Sequence, residues 1–344
     1  MSMLALALVA CGGAAQQPSP QPTASATAPT ALPTLTATAT APRAVTASPQ
    51  SPATAASTRT AAPAVTQTGV TPAPLPASPG HVFLIIMENR DATSILNNPR
   101  APYINQLATR YASADHYYAI RHPSLPNYLA LIGGDTFGVD SDCTDCFQSA
   151  PNLVDALEAK GKTWKSYQED MPRPCFLGEG TGKYALKHDP FLYFTDVRTN
   201  PARCNRVVPL TQFDTDLTRG NVPDFTWITP NLTNDMHDGS IADGDTWLAT
   251  FVPKILQSTA WKEQGELIIT WDEGEGNAGC CGVATGGRVP LLVITPNGQA
   301  GYHIAPSLTH YNLLRTIEDH WGLARIGHSG DANVQSFPDL ARGG

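Results

Sequence analysis

The chain has 344 residues and a formal net charge of −8 at pH 7, with no cluster of lysine and arginine. That balance excludes a nucleic-acid partner, because a phosphate backbone demands a basic footprint. The first quarter of the chain cannot pack a core. Residues 12–80 are nearly all Ala, Thr, Pro, Ser, Gln and Val, hold no aromatic residue and have Arg43 and Arg59 as their only charges, the composition of a disordered linker.

What precedes the linker, MSMLALALVACGG, is short and apolar and runs through small residues to Cys11. Residues 1–11 resemble a bacterial lipoprotein signal, although they lack a basic segment at the start. The pattern predicts lipid on Cys11 and a mature protein anchored on the outer face of a bacterial membrane, or secreted, with the linker as its stalk. No second apolar run approaches the length that spans a bilayer, so the lipid is the one expected contact with the membrane.

Residues 81–344 are globular in composition and fall in the size range of one α/β domain. HVFLIIME is an unbroken apolar run, as expected of a strand buried on both faces, and PYINQLATRYA follows with Ile104, Leu107 and Tyr111 at helical spacing. SLPNYLALIGG predicts a helix ended by glycines, and NLVDALEAKG predicts another. TWKSYQE, DFTWITP, ELIITWDE and VPLLVITP predict strands, with TWLATFVPKILQS and HYNLLRTIEDHWGL as helices between or after them. Such alternation predicts an α/β fold with a mainly parallel sheet covered by helices.

Setting Cys11 aside, the cysteines are Cys143, Cys146, Cys175, Cys204, Cys280 and Cys281. An even remainder in an exported chain predicts disulfides, with the pairing left open. Cys143-x-x-Cys146 and Cys280-Cys281 also read as zinc half-sites, though neither has His or Cys partners at zinc-finger spacing.

Two strands run straight into polar pairs: VFLIIM into Glu88-Asn89, and ELIITW into Asp272-Glu273. In open α/β sheets the ligand crevice lies beyond the carboxyl ends of the strands, so pairs far apart in sequence can converge there. Three carboxylates and an amide oxygen in one crevice repel one another unless a cation sits between them. The predicted cofactor is one divalent metal ion; oxygen ligands admit Mg, Ca or Mn, and a histidine nearby admits Zn.

Between them in sequence stands RHPSLPNYLALIGG, where Pro123 and Pro126 lock the backbone on both sides of Ser124. The open N–H groups of a first helical turn favour an anion. Ser124 as a helix N-cap is the simpler reading. A nucleophile beside a cation accounts for more, with Asn127 donating to a phosphoryl oxygen. His237 lies in an acidic run with Asp235, Asp238, Asp243 and Asp245, open to reading as a solvated loop or a structural calcium site. His122 reads as a partner of the serine turn, and His310 as a polar residue on the first turn of a helix.

The motifs IIMENRD, HPSLPNYLALIGGDTFG, KHDPFLYF, NDMHDG…DGDTWL and IITWDEGEG occur in this order. Together they resemble the bacterial and fungal phosphoesterase family, which groups acid phosphatases with phosphatidylcholine-type phospholipases C within the alkaline phosphatase superfamily. The resemblance covers residues 81 to 325. It implies an alkaline-phosphatase-like three-layer sandwich and metal-dependent hydrolysis through a covalent phosphoserine. By position, Ser124 matches the nucleophile, and Glu88, Asn89, Asp272 and Glu273, with the Ser124 hydroxyl, match the metal ligands. Glu273 stands where some members have aspartate. His188 and His237 match histidines that line the phosphate pocket, binding its oxygens or protonating the leaving group. The serine motif resembles the acid phosphatase branch most, which makes small phosphate monoesters the expected substrate. A phospholipase C acting on diesters is the alternative, and a non-catalytic lipid-anchored binding module is the reading from another class. Oligomeric state is not legible.

Overall fold

The computed structural model describes residues 80–338. The expected lipoprotein signal with Cys11, and the linker up to residue 79, lie outside the described residues.

Eight strands form one sheet: β1 His81–Met87, β2 Ala112–Ala114, β3 Trp164–Gln168, β4 Val207–Pro209, β5 Phe225–Thr229, β6 Gly265–Trp271, β7 Leu291–Ile294 and β8 His303–Ile304. Their spatial order is β8-β2-β7-β6-β1-β5-β3-β4. The central strand β1 lies parallel to both neighbours, with Leu84 opposite Trp227 on one side and Ile268 on the other. Every residue from Val82 to Met87 is buried. Successive side chains of a strand point to opposite faces, so both faces of the sheet are covered.

The one strand that runs against its neighbours is β7, antiparallel to both β6 and β2. Its apolar run marks it as a strand, whereas its direction follows from the connection. Residues 272–290 hold no helix, and a parallel return needs a crossover of helical size. The chain therefore doubles back beside β6.

The helix Ser124–Gly133 packs against His310–Trp321 and Leu153–Ala159, while Pro102–Arg110 packs against Ile241–Gln257. Leu153–Ala159 opens on a capping box between Asn152 and Asp155. Pro102–Arg110 has no side-chain cap of its own; Asp245 accepts from the Tyr103 and Ile104 N–H groups at 3.2 and 2.8 Å. Ser124–Gly133 ends at Gly134 with φ 68°, where an added Cβ would lie 2.0 Å from the Ile326 carbonyl oxygen. Only glycine serves there, by conformation and by space. A further helix, Thr211–Arg219, the edge strands β4 and β8, and the short strand β2 next to β8 had no counterpart in the sequence reading.

The cysteines pair as Cys143–Cys146, Cys175–Cys204 and Cys280–Cys281. Disulfides therefore replace the zinc half-sites, since all six sulfurs are committed. Among the described residues no helix is long and apolar enough to cross a membrane.

Candidate active site

The parallel strands β1, β5 and β6 end on the same edge of the sheet, and the chain leaves each of them through polar residues. Beyond β1 come Glu88 and Asn89, beyond β6 Asp272 and Glu273, and the loop after β5 carries Asp235. Backbone bonds fix the three exits together. Asp272 N donates to Met87 O at 2.9 Å, and Glu88 N donates to Asp235 O at 2.8 Å. Asn89 turns into the left-handed region at φ 52°, and its N–H reaches Asp272 Oδ1 at 3.1 Å. Asparagine tolerates that conformation better than most residues.

The serine helix faces this edge. Ser124 is its first residue, follows the cis His122–Pro123 bond and is 1% exposed. Its Oγ lies 3.2 Å from Glu88 Oε2 and 3.3 Å from Glu273 Oε1, so one hydroxyl proton has two carboxylate acceptors. The adjacent Leu125 N–H donates to Asp142 Oδ1 at 3.1 Å.

Asn127 takes a different place from the one its motif suggested. Its Oδ1 accepts from the Ile120 and Arg121 N–H groups at 2.9 and 3.0 Å, and its Nδ2 donates to the carbonyls of Arg121 and Pro123 at 2.7 and 3.2 Å. The amide is fully buried. These bonds use both its acceptor and both its donor positions, so Asn127 braces the serine turn and has no donor left for a phosphoryl oxygen.

His188 is buried between two carboxylates, its Nε2 3.2 Å from Glu88 Oε1 and its Nδ1 3.4 Å from Asp235 Oδ2. Tyr128 stacks on its ring at 5.4 Å between centroids and donates to Glu88 Oε1. His237 sits nearer the mouth with Nδ1 2.7 Å from Asp238 Oδ1 and its ring 5.5 Å from that of His188. Lys187 Nζ lies 3.2 Å from His237 Nε2 and 2.8 Å from Asp142 Oδ2. From behind, His310 Nε2 donates to the Asp272 carbonyl at 2.6 Å, and its Nδ1 accepts from Tyr117 Oη at 2.8 Å. Burial pushes its pKa down to about 4, in keeping with this neutral pattern. His122, two residues before Ser124, contacts Glu273 and the Gly276 carbonyl, so its partners lie in the segment after β6.

The acids of the loop from Asp235 to Asp245 do not converge on a calcium site. Asp238 faces His237, Asp243 closes a capping box with Ser240, Asp245 caps the helix Pro102–Arg110, and Asp235 alone enters the crevice.

Four carboxylates share this small buried space. Burial pushes Glu88 well above the usual carboxylate range, and Asp272 and Asp235 push it further. Burial likewise lifts Asp272 and Asp235 to about 8 and Glu273 to about 7, with Glu273 adding to the rise at Asp272. His188 is driven well below its ordinary value by burial and then by the charges of Lys187 and His237.

The donor set fits a divalent cation. Asn89 Oδ1 and Asp272 Oδ2 are buried acceptors without a hydrogen-bond donor, and Asp235 Oδ2 has only the His188 ring at 3.4 Å, an arrangement that natural interiors otherwise avoid. Hard oxygen atoms in that number suit Mg, Ca or Mn, and the imidazole of His188 extends the choice to Zn. Glu88, His188 and Asp235 by themselves bring ligand atoms within 4.8 Å of one another, close enough to hold a metal ion.

Glu88, Asn89, Ser124, Asp272 and Glu273 are thus gathered at one place, with His188 beside them and His237 at the mouth. Sequence reasoning missed Asp235 as a member of the crevice, and also Tyr128, Lys187 and Asp142. Lys187 stands directly before His188 in KHDPF, so that motif was the signal available for it. Tyr128 follows Asn127 inside an apolar helix and carried none.

A family model described as the phosphoesterase family matches residues 83–324. The chain is 34% identical over 258 residues to the phosphatidylinositol-3-phosphatase of Mycobacterium tuberculosis, covering 73% of this chain and 80% of that protein. It is 32% identical over 267 residues to a probable acid phosphatase of Kluyveromyces lactis, covering 73% of this chain and 61% of the relative. Phospholipases C match more distantly, at 24% identity. Among solved structures, a protein in the alkaline phosphatase superfamily from Vibrio parahaemolyticus aligns with a TM-score of 0.52 and 14% identity, over 77% of this chain and 72% of that one. That likeness establishes the α/β fold of the superfamily, a mixed and mainly parallel sheet between helices. With its strand-end acids, its serine helix and these relatives of named phosphoric ester hydrolases, the chain belongs to the phosphoesterase family.

Proposed function

We propose that the chain hydrolyses phosphate monoesters through a phosphoserine formed on Ser124. The observation that carries this reading is the position of Ser124 Oγ, 3.2 and 3.3 Å from carboxylate oxygens of two different strand ends, at the first turn of a helix. Glu88, Asn89, Asp272, Glu273 and the Ser124 hydroxyl would hold one divalent ion, with His188 and Asp235 beside them. Such an ion, when bound, supplies Lewis-acid charge to phosphoryl oxygens and offsets the repulsion among the carboxylates.

The chain's own residues account for the rest. Ser124 Oγ attacks phosphorus in line, and its proton passes to Glu88 Oε2 or Glu273 Oε1, the acceptors it already faces. His188, buried and held neutral, suits holding and orienting rather than proton donation. His237 is partly open at the mouth, with Nδ1 engaged by Asp238 and Nε2 facing Lys187 Nζ at 3.2 Å; protonation of Nε2 would break that contact and leave the proton to pass to the departing alcohol. Water then attacks the phosphoserine from the side the alcohol left and releases phosphate.

Monoesters are favoured over diesters because the relatives named as phosphatases are 34% and 32% identical, against 24% for the phospholipases C. A lipid on Cys11 would place the reaction outside the cytoplasm at a membrane surface, with residues 12–80 as the stalk.

The test compares hydrolysis of p-nitrophenyl phosphate and p-nitrophenylphosphorylcholine by metal-loaded, EDTA-treated and Ser124→Ala protein. Monoester turnover that vanishes with EDTA and with alanine is expected. Preference for the choline diester would move the reading to a phospholipase C, and full activity of Ser124→Ala would overturn the mechanism. No turnover of either ester by metal-loaded protein would favour the binding module.

A further inference from the structure

Lys187 has no part in the mechanism so far, yet it is held at the mouth with care. Its Nζ donates to Asp142 Oδ2 at 2.8 Å and lies 3.2 Å from His237 Nε2. Asp142 Oδ1 accepts from the N–H of Leu125, the residue after Ser124, while Asp238 holds the far side of His237. The ammonium is thereby tied on one side to the first turn of the serine helix and on the other to the loop that delivers Asp235. Its side chain is 21% exposed, whereas Glu88 and His188 are 0% and 2% exposed. An ammonium carries three N–H donors. Asp142 takes one and His237, while neutral, takes a second, so at least one remains.

The charge of Lys187 also reaches inward. It favours the ionised forms of Glu88, Asp235 and Glu273, which places it within electrostatic range of the whole crevice. An anionic substrate approaching Ser124 meets four carboxylates, whose combined charge exceeds that of a single divalent ion. Lys187 offsets part of the excess from the open side.

Building on the phosphatase reading above, we propose that Lys187 binds substrate directly, donating its third N–H to a non-bridging phosphoryl oxygen, and that it selects the dianionic monoester over the monoanionic diester. A fixed cation attracts a dianion about twice as strongly as a monoanion at the same distance. Losing it therefore weakens the monoester preferentially, and because Lys187 acts by charge rather than by proton transfer, the effect persists wherever the ester stays dianionic.

The experiment uses the full chain, metal-loaded, as wild type, Lys187→Met, Lys187→Arg and Ser124→Ala. Calorimetry measures the affinity for inorganic phosphate, and kcat/KM is measured on p-nitrophenyl phosphate and on methyl p-nitrophenyl phosphate. Lys187→Met is expected to bind phosphate about 10- to 100-fold more weakly and to lose a similar factor on the monoester. Its change on the diester is expected to stay below about threefold, and arginine should restore part of the loss. Unchanged phosphate affinity in the folded Met variant, or equal losses on both esters, overturns the proposal and leaves Lys187 as a structural tie between Asp142 and His237. If the Met variant melts early, Lys187→Gln is read by the same calorimetry, with the same two outcomes. Full activity of Ser124→Ala would sink the phosphoserine mechanism instead, and the calorimetric comparison would still decide the role of Lys187.

Discussion

Ser124 Oγ and Glu88 Oε2 stand 3.2 Å apart although 36 residues separate them in the chain. The same carboxylate turns its other oxygen to Tyr128 and His188. Glu88 therefore links Ser124 to the histidine wall of the crevice, and it is fully buried with Asp272 and Asp235 as acidic neighbours.

Glu88→Gln separates its two effects. The amide keeps the shape and cannot ionise, so metal-free variant protein should lose less stability than metal-free wild type as pH rises past about 8, where the buried carboxylates ionise together. Its metal affinity and phosphatase activity should each fall by at least about 100-fold. Differential scanning fluorimetry with and without metal checks the first claim, and calorimetry with a rate assay checks the second.

The raised carboxylates give a signed pH dependence. A group with folded-state pKa above its unfolded value binds more protons in the native state, so stability is lost as pH rises through the folded value. With Glu273 near 7 and Asp235 and Asp272 near 8, the metal-free protein should lose stability from about pH 4, the unfolded carboxylate range, to about pH 8. A metal ion held by these carboxylates would displace those protons. Its affinity should therefore climb with pH and level off above about pH 8, which a calorimetric titration series would show, with protons released in proportion.

Asn127 should behave as a structural residue with a catalytic consequence. Asn127→Ala leaves the Ile120 and Arg121 N–H groups and the Arg121 and Pro123 carbonyls without their partner. A cost of about 2–4 kcal/mol is expected, together with a fall in kcat from misplacement of Ser124. Chemical denaturation and steady-state kinetics measure both. Asn127→Asp should recover only part, since the carboxylate can accept from the two N–H groups but cannot donate to the two carbonyls.

Cys175–Cys204 closes the longest disulfide loop, a separation of 29 residues, and joins the start of the loop after β3 to the segment before β4. Replacing both cysteines with serine should cost about 2–4 kcal/mol. Removing Cys143–Cys146, with a separation of only 3, should cost less. Paired urea titrations compare them.

The central strands and the polar pairs beyond them were legible because β1 and β6 are buried on both faces, which forces unbroken apolar runs, and because those runs stop abruptly at Glu88 and Asp272. The helix after Ser124 declared itself through its apolar periodicity and terminal glycines. The short strands left no such mark: Ala112–Ala114 is three small residues, and its pairing is set by β7 and β8 rather than by its own pattern. The reversed direction of β7 was equally hidden, since an apolar run does not record which way it lies. Asp235 looked like one more acid in a solvated loop until the Glu88 N–H to Asp235 carbonyl bond drew that loop to the edge of the sheet. Asn127 misled because its spacing from Ser124 suits a phosphate contact as well as a backbone brace, and only the turn geometry separates the two.

The most direct test of the central claim is to trap the covalent intermediate. Metal-loaded enzyme mixed with p-nitrophenyl phosphate is quenched in acid within the first turnovers, digested and mapped by mass spectrometry. One phosphoryl group on Ser124, absent from the Ser124→Ala protein and from unquenched enzyme after the substrate is exhausted, is the predicted result. Hydrolysis that proceeds with no phosphoryl group on the enzyme at any quench time, or with one on a residue other than Ser124, would contradict the account.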